Sequence, residues 1–296
     1  MFYSSCIHDC CVVKASTKLI LFNIYTKKLW KECCIFAREL CTRKKMPTLE
    51  QLRKPIGAVI IFAVSLLFGS LTTNATDSST LAISLTASNL ITMCILYWMG
   101  TIHTSSLYPK NIDWRHAHLG IMATIFGFLA LDLFCAMLPL PDLMEESFLA
   151  LARNPLGVLA MVFVAPIAEE LIFRESVLGY MLRHGVSPWK GILFSALLFG
   201  LIHLNPAQIP FAFIAGILMG MVYVQSRSIL LTSIIHILNN SCAVVEMNIL
   251  GENYSKFNMV EALGGTVATG ILIIIGFLLC GIFMHRFMRK YRHPIV

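Results

Sequence analysis

The stretch Glu169-Glu170-Leu171-Ile172-Phe173-Arg174 lies within a predominantly apolar segment, residues 156–182. A charged side chain at bilayer depth costs about 2.5–3.5 kcal/mol on insertion scales, so charges at this position indicate a function. On a helix, Glu170 and Arg174 are four residues apart and can pair on one face. Glu169 points about 100° away from that face and has no local cation. The pattern therefore predicts one carboxylate held in a structural pair and another that is accessible for chemistry.

The composition of the whole chain is that of a polytopic membrane protein. Charged residues make up 13% of the 296 residues and hydrophobic residues 57%, whereas soluble domains carry about 25% charged residues. The mean hydropathy is +0.75. The long apolar segments predict an all-α fold of about eight transmembrane helices, since helices satisfy their own backbone groups in lipid. The predicted spans are residues 56–72, 81–102, 118–139, 156–182, 190–205, 208–224, 229–248 and 263–284.

The basic residues predict the orientation of these spans. With the N-terminus inside, all of the 23 Lys and Arg residues fall on the inner side except Arg153, Arg174 and Lys256. The positive-inside rule then places both termini in the cytoplasm, and we expect a bacterial cell membrane. The net charge of +7 reflects this topology: basic termini are expected to lie against anionic lipid, and nucleic-acid binding is not expected.

Three regions are predicted along the chain. Residues 1–54 form a cytoplasmic basic arm, in which an apolar stripe indicates an amphipathic helix on the membrane surface. An upstream extension without a role, over residues 1–45, is an equally open interpretation. Residues 55–285 form the transmembrane domain, and residues 286–296 form a basic cytoplasmic tail.

Three features outside the central stretch help to interpret it. Asp132 lies alone in the third predicted span, either as a functional residue or as a helix-packing hydrogen-bond partner. The pair Glu145-Glu146 lies in a polar outer loop without an arginine four residues later, and we interpret it as a solvated charge cluster. Close helix contacts are predicted at four small residues, since glycine lets backbones approach: Gly216, Gly220, Gly264 and Gly270.

Polar residues from separate spans are predicted to meet in one layer of the bilayer. His203 ends the fifth predicted span, while His236 and Asn240 share a helical face in the seventh. Depth is counted from the charged residue at the inner end of each span, at about 1.5 Å per helical residue. Four residues then lie about 20 Å above the inner charges: Glu169, His203, Asn240 and Asp132. His236 lies one turn lower. A carboxylate, two imidazoles and an amide in an apolar layer can hydrolyse a peptide bond, because they can activate water and donate to an oxyanion.

The order of the motifs resembles a known family. Glu-Glu-x-x-x-Arg at 169–174, Phe-x-x-x-His at 199–203 and His-x-x-x-Asn at 236–240 resemble the CAAX-protease and bacteriocin-processing (Abi) family of intramembrane proteases. Any one motif is weak, but the ordered set is specific. The resemblance implies an eight-helix α-fold and a CAAX-prenyl-protease-like endopeptidase.

The resemblance also implies residue roles. Four residues would be catalytic. Glu169 and His203 would activate water, and His236 and Asn240 would form the oxyanion site. Glu170 and Arg174 would be the structural pair, and Asp132 is a further site-supporting candidate. The family is often labelled metalloprotease, but His-Glu-x-x-His is absent from this chain and the residues could work with or without zinc. We expect no cofactor.

Substrate and function class remain open at this point. The expected partners are membrane lipid and a peptide or membrane-protein substrate; eukaryotic members of the family cut prenylated CAAX peptides. The alternative function is a non-catalytic bacteriocin-immunity or regulatory membrane protein of the same fold, against which the intact motif set argues. A transporter predicts internal repeats and helices broken at mid-membrane, and only Pro166 fits that pattern.

Overall fold

The computed structural model of the chain describes residues 49–71, 77–102, 107 and 112–290. Within these residues the regular secondary structure is helical throughout. The predicted all-α class is therefore confirmed. The amphipathic helix predicted in the arm lies outside the described residues, as does the tail beyond Lys290. The region boundaries at residues 54 and 286 stay predictions.

The helices of the described residues are numbered in chain order. They are α1 Leu49–Leu71, α2 Ser78–Trp98, α3 Trp114–Ala136, α4 Glu145–Ala152, α5 Pro155–Arg183, α6 Pro188–Leu201, α7 Ile209–Ser226, α8 Ile229–Leu250, α9 Met259–Ala262 and α10 Thr266–Lys290. A 3-10 segment, Gly251–Lys256, links α8 and α9.

Six helices of the described residues are long and apolar enough to cross a membrane: α2, α3, α5, α7, α8 and α10. The predicted fifth span corresponds to α6, which has only 14 residues. At 1.5 Å per residue it is about 21 Å long, shorter than a hydrocarbon core of about 30 Å. It ends at Leu201, so His203 lies in the turn that follows it. The protein is thus a polytopic membrane protein, and the count of eight spans stays a prediction.

Side-chain caps set the starts of the two helices that carry the predicted acids and one imidazole. Asn154 accepts hydrogen bonds from two backbone N–H groups at the start of α5, and Pro155 takes the first helical position, where no N–H is needed. Ser228 caps α8 through its hydroxyl. These local signals fix where α5 and α8 begin, and therefore the height of their polar residues.

Helix α5 lies at the centre of the described helices. Of its apolar stretch 56% is buried, against 17% for α10 at the periphery. It packs against α1, α2, α6 and α8. A polar residue on the buried side of α5 is therefore surrounded by protein, where a charge needs partners.

Helices α6 and α7 pack closely through small residues. A Cβ atom at Gly216 would lie 3.0 Å from the Cα of Ala196, and one at Gly220 would lie 3.2 Å from a side chain of α6. The predicted close contacts are confirmed at these two glycines. Gly264 instead lies in a turn with a φ of +91°, and the prediction is wrong for Gly270, whose Cβ position has no described neighbour within 4 Å.

Candidate active site

The stretch that carries Glu169 and Glu170 lies on an irregular part of α5. The helix has π-type hydrogen bonding over Ala160–Val164 and Glu170–Gly179. Pro166 accounts for the first segment, because proline lacks an N–H and its ring clashes with the carbonyl one turn earlier. Such π segments are frequent at functional sites. The predicted span at 156–182 is helical throughout, but the regular α-geometry assumed for it does not hold over these segments.

Glu170 and Arg174 form the pair that their spacing predicts. Oε2 of Glu170 lies 3.2 Å from Nε of Arg174, and both side chains are fully buried. The contact has ion-pair distance without the alignment of a hydrogen bond. The guanidinium carbon also lies 4.8 Å from the centre of the Phe199 ring. A desolvated cation–π contact of this kind stabilises by about 2 kcal/mol, so charge and an aromatic face together hold the buried arginine.

His236 lies between the two adjacent glutamates. Its Nδ1 is 3.0 Å from Oε1 of Glu170, and its Nε2 is 3.6 Å from Oε2 of Glu169. The first distance is a hydrogen bond; the second is close enough for an ion pair and too long for a direct hydrogen bond. The resemblance implies that Glu169 and His203 together activate water, and this stays a prediction. The imidazole observed beside Glu169 is that of His236.

The two glutamates differ in their access. Glu169 is 17% exposed, while Glu170 is completely buried and already contacts Arg174 and His236. The sequence predicts this difference between the two carboxylates: one is enclosed by protein partners, and the other is accessible. Only the accessible one can meet a substrate and a water molecule.

Phe199 joins the remaining imidazole to this cluster. Its ring lies edge-to-face with His203 at 5.0 Å and with His236 at 5.9 Å between centroids. His203 also binds the Phe199 carbonyl oxygen through Nδ1 at 2.7 Å. Edge-to-face packing is a preferred arrangement of aromatic rings, so this one aromatic side chain contributes to the orientation of both imidazoles. These contacts bring side chains of α5, α6 and α8 together, while their shared depth in the bilayer stays a prediction.

Asn240 lies one turn after His236 on α8 and reaches α5. Its Nδ2 donates to the carbonyl oxygen of Met161 at 2.9 Å, inside the first π segment. A side-chain amide has two N–H donors, so the second donor is the one that could meet an oxyanion. The contact with Met161 fixes the direction in which it points.

Asp132 is not brought into this cluster by any described contact. It is exposed on α3, where its charge lies close enough to Glu246 of α8 for the two to interact. Neither a packing hydrogen bond nor a contact with the Glu169 cluster is found for it among the described residues. Its predicted supporting role stays a prediction.

The arrangement of possible metal ligands can be compared with that of a catalytic zinc site. Among the described residues, no group of three or more His, Cys, Asp and Glu side chains is arranged so that it could hold a metal ion. A catalytic zinc site usually has three protein ligands. The residues as arranged do not fit such a site, and the chemistry below is derived from the side chains alone.

Glu175 directly follows Arg174 and is a further acid of α5 that the motifs do not include. It is fully buried, and its carboxylate accepts hydrogen bonds from Arg183 at 2.8 Å and from the Tyr223 hydroxyl at 2.5 Å. The signal that could have revealed it is a third acid in the same apolar segment. Its cation lies eight residues away, so the four-residue spacing of a helical ion pair does not reveal it.

Comparison with protein families gives a match for the central part of the chain. Residues 151–242 match the family described as type II CAAX prenyl endopeptidase, Rce1-like. The matched stretch contains all three motifs and spans less than half of the chain. No curated protein and no solved structure matches the chain. The resemblance inferred from the motifs is therefore confirmed over this stretch, which is similar to the Rce1-like family of type II CAAX prenyl endopeptidases.

Proposed function

We propose that this chain is an intramembrane endopeptidase of the CAAX type, in which Glu169 activates the water that attacks the peptide bond. The observation that carries the proposal is the position of His236 between Glu169 and Glu170 in an apolar core. The family match supports peptide-bond hydrolysis, and the apolar helices support a membrane setting.

Glu169 is the proposed general base. Its carboxylate takes a proton from water as the water oxygen attacks the carbonyl carbon, and it returns that proton to the amine when the carbon–nitrogen bond breaks. General-base catalysis contributes about 10²–10⁴-fold to a rate. Glu170 is unsuited to this role because it is enclosed and already bound on both oxygens.

Glu170 then acts on the reaction through His236. Since an ionised carboxylate can only accept, Nδ1 of His236 carries the proton in their hydrogen bond. This leaves Nε2 as the nitrogen that faces Glu169 and the reacting bond. In the doubly protonated ring, Nε2 can donate to the oxyanion, which is the role the family resemblance implies. In this scheme Glu170 is a positioning residue as well as half of the ion pair.

His203 and Asn240 complete the proposed site from two other directions. The Nδ1 atom of His203 is engaged with the Phe199 carbonyl, so Nε2 is the nitrogen that would orient the water. The second N–H of Asn240 would donate to the oxyanion beside His236. One such donor is typically worth about 10²–10³-fold in rate.

The proposal also specifies the setting of the reaction. The substrate is a peptide or a membrane protein, a prenylated CAAX peptide being the first to test, and both termini of the enzyme lie in the cytoplasm of a bacterial cell. No metal is assigned to the site, and chelator-treated protein is expected to keep its activity.

The test is a comparison of membrane peptides from cells that express either the wild-type chain or Glu169→Gln at equal level. Glu145→Gln is the matched control, because it changes an acid of the other glutamate pair, in α4. We expect cleavage products that depend on Glu169 and persist in the control. Identical peptide profiles for wild type and Glu169→Gln would contradict the protease and favour a binding or immunity protein.

A further inference from the structure

Asn205 is fully buried in the turn that follows α6, two residues after His203. Its side-chain amide forms hydrogen bonds with the loop before α4. Nδ2 donates to Oδ1 of Asp142 at 2.8 Å, and Oδ1 accepts from the backbone N–H of Leu143 at 3.0 Å. Buried amides are satisfied in folded proteins, and here both ends of the amide are used on one short loop.

The backbone of Asn205 is tied to the other side of the same turn. Its carbonyl oxygen accepts from the N–H groups of Gln208 and Ile209, at 2.9 and 3.0 Å, where α7 begins. Leu204, between His203 and Asn205, has a φ of +50°, a left-handed conformation that is costly for a branched aliphatic residue. The turn therefore takes this shape because contacts on both sides of Leu204 hold it.

The loop that Asn205 contacts is also held by a hydrogen bond of its own. Oδ1 of Asp142 also accepts from the backbone N–H of Met144 at 2.9 Å, just before α4 begins. One carboxylate oxygen thus joins the start of α4 to the turn after α6. This connection crosses more than sixty residues of sequence, so local periodicity gives no signal for it.

We propose that Asn205 is the positioning residue of His203: through Asp142 and Leu143 it locks the turn that presents this imidazole. The inference rests on the proposed function, because it assigns His203 a role in the reaction. His203 is outside the regular helix, so its own contact with Phe199 and the ends of the turn determine its place. A shift of about 1 Å at a reacting group can cost about 10²-fold in rate.

The experiment uses the purified full chain in lipid nanodiscs, with a farnesylated peptide ending in Cys-aliphatic-aliphatic-X as the probe. The variants are Asn205→Ala and Asp142→Asn, each made in the wild-type and His203→Ala backgrounds. The matched control is Asn258→Ala, since the side-chain amide of Asn258 also holds a turn beside a helix start: its Oδ1 accepts from the backbone N–H groups of Val260 and Glu261 at 3.1 and 3.2 Å. Both kcat and KM are measured, together with hydrogen exchange of the loops.

We expect Asn205→Ala to lower kcat by about 10- to 100-fold with little change in KM. Asp142→Asn keeps the accepting oxygen and should remain close to wild type. In the His203→Ala background, Asn205→Ala should cost no further activity, because its effect acts through that imidazole. Hydrogen exchange should quicken at residues 139–144 and 203–209 together, whereas Asn258→Ala should leave both loops and kcat unchanged.

Three results would overturn the inference. One is a wild-type kcat for Asn205→Ala. Another is a loss that adds fully to that of His203→Ala. The third is an equal loss for Asn258→Ala, which would indicate general destabilisation. The proposed function fails separately, when wild type itself does not cleave the peptide and cells show no products that depend on Glu169. The exchange experiment still reports whether Asn205 joins the two loops.

Discussion

Glu170 Oε1 and His236 Nδ1 lie 3.0 Å apart and connect α5 to α8 inside the buried core. The same carboxylate contacts Arg174 through its other oxygen. Glu170 therefore links a structural cation to an imidazole of the candidate site. Loss of this one acid should affect folding and reaction together, whereas loss of Glu169 should affect the reaction alone.

Replacement of Arg174 by alanine should destabilise the fold. It leaves Glu170 buried without its cation, and breaking a buried pair in this way costs about 3–5 kcal/mol. We expect less folded protein in the membrane and a lower melting temperature. Arg153→Ala is the control, because Arg153 is an exposed arginine at the end of α4. Equal abundance and melting for the two variants would remove the structural role of Arg174.

Tyr223→Phe tests the second buried acid. The change removes the hydroxyl that donates to Glu175 at 2.5 Å, and a buried acceptor that loses its donor costs about 1–3 kcal/mol. Stability should fall while kcat changes little, because Glu175 lies outside the candidate site. Tyr97→Phe, at a tyrosine that is 71% exposed, should be silent. A large loss of kcat with unchanged stability would instead place Glu175 in the reaction.

Asn240→Ala and His236→Ala should each lower kcat by about 10²–10³-fold. Their double variant should lose far less than the product of the two, because both act on one transition state. The control for Asn240 is Asn248→Ala on the same helix, where the amide likewise donates to a carbonyl of a neighbouring helix, that of Ala152 at 3.0 Å. If Asn248→Ala is equally damaging, helix packing rather than an oxyanion explains Asn240.

The proposed orientation can be measured with reporter fusions. Fusions at Leu143 and Tyr254 should report the outer side, and fusions at Asp113, Val186 and the C-terminus should report the cytoplasm, since the basic residues follow the inner segments. Two or more reversed positions would contradict the orientation and the shared depth of the polar residues.

Much of the fold and of the site follows from sequence patterns. Long apolar segments predict the helices, and the spacing of Glu170 and Arg174 predicts their contact. The partner of Glu169 was not predictable, because which imidazole lies beside it depends on how α8 rotates against the π segment of α5. Likewise, the short α6 leaves His203 in a turn, where Asn205 and a distant loop, rather than helical periodicity, determine its position.

The most direct test of the central claim is the turnover of the farnesylated CAAX-type peptide by purified Glu169→Gln. Glutamine keeps the size and polarity of the side chain but cannot accept the proton from water. We predict normal folding, retained peptide binding and a kcat lowered by about 10²–10⁴-fold, with Glu145→Gln at the wild-type rate. A Glu169→Gln enzyme that turns over at the wild-type rate would contradict the assignment of Glu169 as the base.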